Sequence, residues 1–271
     1  MSFKDGEMHA VAAVGAVLLT AALAIPSLVY MGGCQEADAK AAPALEDMEA
    51  IEASIARRVR IEPVAYITGH QEFWSLDLEV SPAVLIPRAD SETLIAAALT
   101  LFARDRVLRI LDLGTGSGAL ALAALGEWPA ATALATDVSA AALDVARRNA
   151  DRLGFADRCA FQQADWAGGV VGGFDLVLCN PPYIGCGETV GPGVREHEPS
   201  GALFAGVDGL ADYRRIVPAM PALLAAGGAA IVESGYRQAA DILALGAASG
   251  LRGAVAHDLA GRDRAIIFHH V

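Results

Sequence analysis

Asn180-Pro-Pro-Tyr183 follows the apolar run FDLVLC (174–179), and these four residues carry the types and spacing best suited to chemistry. Proline fixes φ and has no N–H, so Pro181 and Pro182 cannot extend a ladder, and each pushes its predecessor into extended geometry. A strand through Cys179 must therefore end at Asn180. The Asn180 carboxamide and the neighbouring carbonyls then face outward instead of into a sheet, with Tyr183 as an amphipathic wall. Such a rigid exit is a small, pre-shaped acceptor for N–H groups. An ordinary strand-to-loop turn uses the same residue types, since Asn-Pro commonly opens turns, so the rest of the chain has to decide.

A second constellation is DLGTGSG, Asp112 to Gly118. Gly114, Gly116 and Gly118, spaced by Thr115 and Ser117, permit a tight turn and close approach of backbone to a ligand. The dinucleotide fingerprint needs a wider second gap, and here Ser117 alone separates Gly116 from Gly118, so a pyrophosphate cradle fits poorly. Asp137 stands about 20 residues further on, where a carboxylate at a strand end accepts both hydroxyls of a ribose. Glycine turn and acid together indicate an adenosine-containing cofactor. Asp165-Trp166, after a third strand, offers either an aromatic wall beside an adenine or merely a surface acid and a half-buried tryptophan.

The elements that must position these residues alternate. VLRILDL (107–113), ATALATD (131–137), CAFQQAD (159–165), FDLVLCN (174–180), AAIVESG (229–235) and RAIIFHH (264–270) read as strands. Helical patterns fall between several of them, at 119–128, 139–154 and 237–248. Continuous apolar strands separated by helices mean a mostly parallel α/β sheet covered on both faces. Ligands then bind outside the carboxyl ends of the strands, where all four motifs fall. Upstream, residues 45–60 place Met48, Ile51, Ile55 and Val59 on one helical face, with acids early and arginines late. Residues 64–89 read as short strand pieces of a hairpin, and 91–103 as an apolar helix.

Composition narrows the function. With 20 basic and 32 acidic residues, a formal charge of −12, the chain has no global basic field to gather a polyanion. The four cysteines and six histidines show no zinc-like spacing, so no metal site is expected. Ala10 to Gln35 lacks Lys, Arg, Asp and Glu over 26 residues, against roughly 20 needed to cross a bilayer. Three readings stay open: a membrane anchor, a signal peptide and a broken pair of buried helices. Asp5 and Glu7 beside Lys4 weigh against the signal.

Together, DLGTGSG, ATDVS (135–139), ADW (164–166) and NPPYI (180–184) resemble the release-factor glutamine methyltransferases, the HemK/PrmC family. The segments IEPVAYITGHQEFW (61–74), IPRADSE (86–92) and VREHEPSGALFAGVDGL (194–210) extend the resemblance from about Leu45 to the C-terminus. It implies a doubly wound, Rossmann-like, seven-stranded sheet of the class I S-adenosylmethionine-dependent kind over residues 91–271. A β-hairpin linker over 62–90 and an atypical apolar and helical N-terminus over 1–61 would precede it. S-adenosylmethionine would be the cofactor, with Gly114, Thr115, Gly116, Ser117 and Gly118 at its amino-acid end, Asp137 at the ribose, Trp166 near the adenine and Asn180 close by.

By the same resemblance, Asn180, Pro181, Pro182 and Tyr183 would hold a glutamine amide, with Asn180, Pro181 and Tyr183 catalytic. Phe73, Arg88 and Glu92 would back the pocket. Arg195, Glu196 and Glu198 read equally well as a solvated loop and as a grip on a protein substrate. The implied partners are class-1 peptide-chain release factors, with no direct nucleic acid contact and a catalytic domain in the cytoplasm, anchored through residues 10–35 or free. Ribosomal-protein glutamine methylation shares all of this chemistry, and NPPY with a glycine loop also occurs in DNA and RNA amino-methyltransferases. Ala89 stands where the family usually has proline after Ile-Pro-Arg, and only the last helix of the family's small N-terminal helical domain is recognisable.

Overall fold

The computed structural model describes residues 45–271; the apolar stretch 10–35, with its three readings, lies outside the described residues. Among the described residues no helix is long and apolar enough to cross a membrane. Glu49 to Val271 forms one compact unit.

A helix, Leu45–Val59, is followed by a short one, Val64–Thr68. The expected strand pieces thus begin later than the sequence pattern suggests. Pro63, at φ −56°, leads into the helical turn, and Gly69 ends it at φ +78°, a left-handed conformation that glycine adopts without penalty. The hairpin follows as β1 (His70–Phe73) and β2 (Leu76–Glu79). Its two turn residues, Trp74 and Ser75, both have positive φ, the geometry whose twist matches paired strands. Two carboxylates hold the turn: Glu92 accepts the Trp74 amide at 2.9 Å, and Glu127 accepts the Trp74 indole N–H at 2.7 Å. Phe73 and Leu78 are buried in the same core as Leu94 and Ile95 of helix Glu92–Leu101.

The main sheet comprises β3 (Arg109–Leu113), β4 (Thr132–Asp137), β5 (Cys159–Gln163), β6 (Phe174–Cys179), β7 (Leu224–Glu233), β8 (Leu251–His257) and β9 (Asp263–His270). Their spatial order is β5-β4-β3-β6-β7-β9-β8; the first five are parallel, and β9 runs antiparallel to both its neighbours. The sequence pattern left β8 unassigned. Arg252 and Gly253 interrupt its apolar alternation, and an edge strand needs only part of its surface covered.

Alternate residues of the inner strands feed two cores. Ile110, Leu176, Leu178 and Ile231 pack on one face with helices Glu92–Leu101 and Ala119–Glu127. Leu111, Leu113, Val177 and Val232 pack on the other with Tyr213, Met220 and Ile242. Each fully buried Leu or Ile contributes about 1.5–3 kcal/mol relative to exposure. Helix Ala119–Glu127 is alanine-rich and buried along most of its length, which lets it sit close on the sheet and carry the glycine turn with it.

Candidate active site

The carboxyl ends of β3, β4 and β6 converge on a cleft of about 470 Å³. Gly114, Thr115, Gly116, Ser117, Asp137, Trp166, Asn180 and Pro182 line it, with Phe73, Ser91, Pro199 and Asp212. Of the residues expected in the glycine turn and the Asn180–Tyr183 motif, three are not among its lining. Gly118, at φ +87°, precedes helix Ala119–Glu127 and packs against Leu122 and Ala146. Pro181 is buried, and Tyr183 turns toward the buried Glu233.

The glycine turn is built from both sides. Gly114 and Gly116 have φ of +73° and +56°, values that strain any residue with a Cβ. The amides of Gly114 and Thr115 both donate to the Thr136 carbonyl at 2.9 Å, which fastens the turn to the end of β4. Beneath it, the wholly buried Asp112 accepts from the Thr115 hydroxyl at 2.6 Å and the Ala121 amide at 3.2 Å, leaving Oδ1 unpartnered. Burial pushes its carboxyl up to about 7, against the lowering effect of those two donors.

Asp137 faces the turn across the cleft mouth. Its Oδ2 accepts the Gly116 amide and its Oδ1 the Ser139 amide, each at 2.9 Å. Ser139 in turn caps helix Ala140–Leu153 by accepting from the Ala142 amide. The carboxylate therefore stands at a fixed position while each oxygen keeps acceptor capacity. Trp166, at φ +52°, lays its ring against Gly114 so closely that a Cβ there would meet the ring at 2.9 Å. Its indole N–H donates to Asp212 at 3.2 Å. It is a flat wall at the glycine turn.

Asn180 follows the last residue of β6, as the proline pair requires. Its Nδ2 donates to the buried Ser91 hydroxyl at 3.1 Å. Burial pushes the neighbouring Cys179 thiol well above its usual range, so this cysteine packs and does not act as a nucleophile. Among the described residues no cluster of His, Cys, Asp or Glu is arranged to hold a metal ion.

Of the residues expected to back the pocket, Phe73 lines the cleft, Glu92 holds the Trp74 amide, and Arg88 pairs with Glu198. Glu198 is buried, whereas Arg195 is exposed on the short helix Val194–His197 and stacks its guanidinium over Phe204 at 4.4 Å. Sequence reasoning missed Ser91, Asp212 and Glu233. Ser91 and Glu233 lie in short polar interruptions of apolar patterns, within the quoted IPRADSE and AAIVESG segments.

A seven-stranded sheet with one late antiparallel strand, and a glycine turn and acid at adjacent strand ends, defines a class I methyltransferase. In fold it is similar to a methyltransferase from Pyrococcus furiosus (TM-score 0.57, 21% identity, 80% of this chain and 99% of that one). It is also similar to a ribosomal protein L11 methylase from Lactobacillus delbrueckii subsp. bulgaricus (TM-score 0.51, 23% identity, 68% of this chain and 80% of that one). Residues 91–191 match the family model described as methyltransferase small domain. A release factor glutamine methyltransferase of Bradyrhizobium diazoefficiens is 45% identical over 238 residues, covering 84% of this chain and 80% of that protein. The one of Rhodospirillum rubrum is 44% identical over 225 residues, 82% and 69% of the two chains. The chain belongs to the release factor glutamine methyltransferase family.

Proposed function

We propose that this protein methylates the side-chain nitrogen of the glutamine in the Gly-Gly-Gln motif of class-1 peptide-chain release factors, with S-adenosylmethionine as methyl donor. The observation that carries the reading is the Asn180 carboxamide at the cleft, held through Nδ2 so that Oδ1 is left for a ligand. The residues present fit the donor. The glycine turn accommodates close backbone approach, Asp137 offers two fixed acceptors at the distance suited to a ribose diol, and Trp166 offers a flat apolar face.

Bound S-adenosylmethionine supplies an electrophilic methyl group on a sulfonium. The difficulty lies with the amide, whose nitrogen lone pair is delocalised into its carbonyl. Asn180 Oδ1 and the Pro181 carbonyl each accept one amide N–H, which holds the nitrogen and turns its lone pair to the cleft. Positive charge developing on the nitrogen as it took the methyl group from the sulfonium would be stabilised by these acceptors. One N–H proton would leave to solvent, with S-adenosylhomocysteine as the other product. No strong base is required. Pro181 and Pro182 supply the rigidity, and Tyr183, turned toward Glu233, braces the far side of the proline pair.

We assign catalysis to residues 91–271, with 62–90 as the hairpin segment and 1–61 as the N-terminal part, and place the catalytic domain in the cytoplasm with its substrates. The net charge of −12 opposes a nucleic acid substrate. The test is mass spectrometry of a release factor after incubation with this protein and S-adenosylmethionine. One added methyl group on the Gly-Gly-Gln peptide is expected; cofactor binding without that methyl group would overturn the substrate assignment.

A further inference from the structure

Asn180 serves a substrate amide in only one of its two orientations. With Oδ1 toward the cleft it accepts N–H; turned over, it offers Nδ2–H to groups that are themselves donors. A neighbour has to choose, and that neighbour is Ser91, whose hydroxyl lies 3.1 Å from Nδ2. A hydroxyl both donates and accepts, so Ser91 can fix Asn180 only if its own proton is committed elsewhere. Behind it lies Glu233, the last residue of β7 and 1% exposed. Asp90, next to Ser91, pairs with Arg264 at 2.9 Å, and the following Ala265 is in register with Glu233, so the Ser91 turn lies against the end of β7; the Ser91 hydroxyl and the Tyr183 phenol face this carboxylate, and its Oε2 has no partner.

We infer that Glu233 is a positioning residue: as an acceptor it takes the Ser91 O–H hydrogen bond, leaves Ser91 Oγ able only to accept from Asn180 Nδ2, and so turns Asn180 Oδ1 to the substrate amide. The inference rests on the reading of Asn180 as the grip on that amide. The Tyr183 phenol faces the same carboxylate, so one buried group stands behind the side chains on both sides of the proline pair.

The surroundings tune this relay. Arg264 faces Glu233 from β9 and is paired with Asp90 at 2.9 Å and Asp258 at 3.3 Å. From the other side come the buried Cys179 thiol and Tyr213, whose phenol donates to the Glu233 backbone carbonyl at 2.8 Å. Burial pushes the Glu233 carboxyl up to about 7, opposed by Ser91, Arg264 and Tyr183 and aided by Asp90. When protonated, Glu233 can donate to Ser91, which is then free to donate to Asn180 and reverse it. The relay therefore points one way above that pH and loses its direction below it.

The test compares wild type, Glu233→Gln, Ser91→Ala and Ser91→Thr in methyl transfer to a release factor between about pH 6 and 8.5, with S-adenosylmethionine affinity measured by calorimetry. Glu233→Gln and Ser91→Ala are expected to lower kcat about tenfold or more, with cofactor Kd within about twofold. Ser91→Thr, which keeps the hydroxyl, is expected to recover most of the rate, and the acid-side fall of kcat expected of wild type should be absent from Glu233→Gln. Should Glu233→Gln not fold, the Ser91 pair differs from wild type by little more than one oxygen and carries the test. Wild-type kcat in Ser91→Ala, or Ser91→Thr as slow as Ser91→Ala, would overturn the inference alone. No transfer by wild type would overturn the substrate reading and this inference with it.

Discussion

Glu198 and Arg88, 110 positions apart in the chain, form an ion pair in which the carboxylate is buried and the guanidinium is 41% exposed. The other Glu198 oxygen accepts the Ile86 amide at 3.2 Å. This carboxylate thus ties the Ile86–Arg88 strip to the Pro199–Ala202 strip, and both strips contribute to the cleft wall.

Removing Glu198 leaves Arg88 without its partner and a buried amide unsatisfied. Breaking a buried pair costs about 3–5 kcal/mol, and the half-exposed arginine reduces this to roughly 2–3 kcal/mol. Glu198→Ala is therefore expected to lower the unfolding free energy measured by urea titration by that amount and to weaken cofactor binding through the loosened wall. Unchanged stability would show that the pair is solvated in practice.

On the proposed mechanism, Asn180→Ala removes an acceptor for the substrate amide and leaves the glycine turn and Asp137 in place. Methyl transfer should fall on the order of 10²–10³-fold, as for loss of an oxyanion-hole donor, while calorimetric affinity for the cofactor changes far less. Undiminished turnover would remove Asn180 from the mechanism.

Asp137→Ala should act the other way. Its oxygens hold the Gly116 and Ser139 amides and stand ready for a diol, and hydrogen bonds to a charged group are worth about 1.5–3 kcal/mol. The cofactor Kd is expected to rise about ten- to a hundredfold. A change confined to kcat, with Kd unaltered, would place Asp137 outside the cofactor site.

The proton on Asp112 gives a pH dependence with a definite sign. Burial raises this carboxyl from 3.8 to about 7 in the folded chain, so the folded state holds the proton more firmly than the unfolded one. Its stabilising share is complete below about pH 4 and is lost as pH rises through about 7, at about 1.4 kcal/mol per unit of displacement. Asp112→Asn, which never ionises, should lose less stability than wild type between pH 5 and pH 8 in denaturant titrations. Parallel curves would sink this account.

The inner frame was legible because its signals are local. Pro181 and Pro182 dictate where β6 stops, and the glycines dictate a turn after β3, whatever surrounds them. The edge strand β8 was not legible, since Arg252 and Gly253 blur its pattern and its pairing with β9 is a tertiary fact. Val64–Thr68 misled for a related reason: five residues between proline and glycine hold too little periodicity to separate helix from strand. Ser91 and Glu233 lie 142 positions apart by number and meet only when β7 and the Ala89–Ser91 turn are both in place. Glu198 and Glu196 look alike in the sequence; only burial separates them.

The position of β9 has a consequence for the order of assembly. It follows every other strand of the sheet in the chain, yet it lies inside, between β7 and β8. While the chain is being synthesised, β7 has an open edge of unpaired amides and carbonyls until Asp263–His270 emerges, and Glu233 sits at that edge without Arg264. The strand that closes this edge is also the one that delivers the arginine facing Glu233.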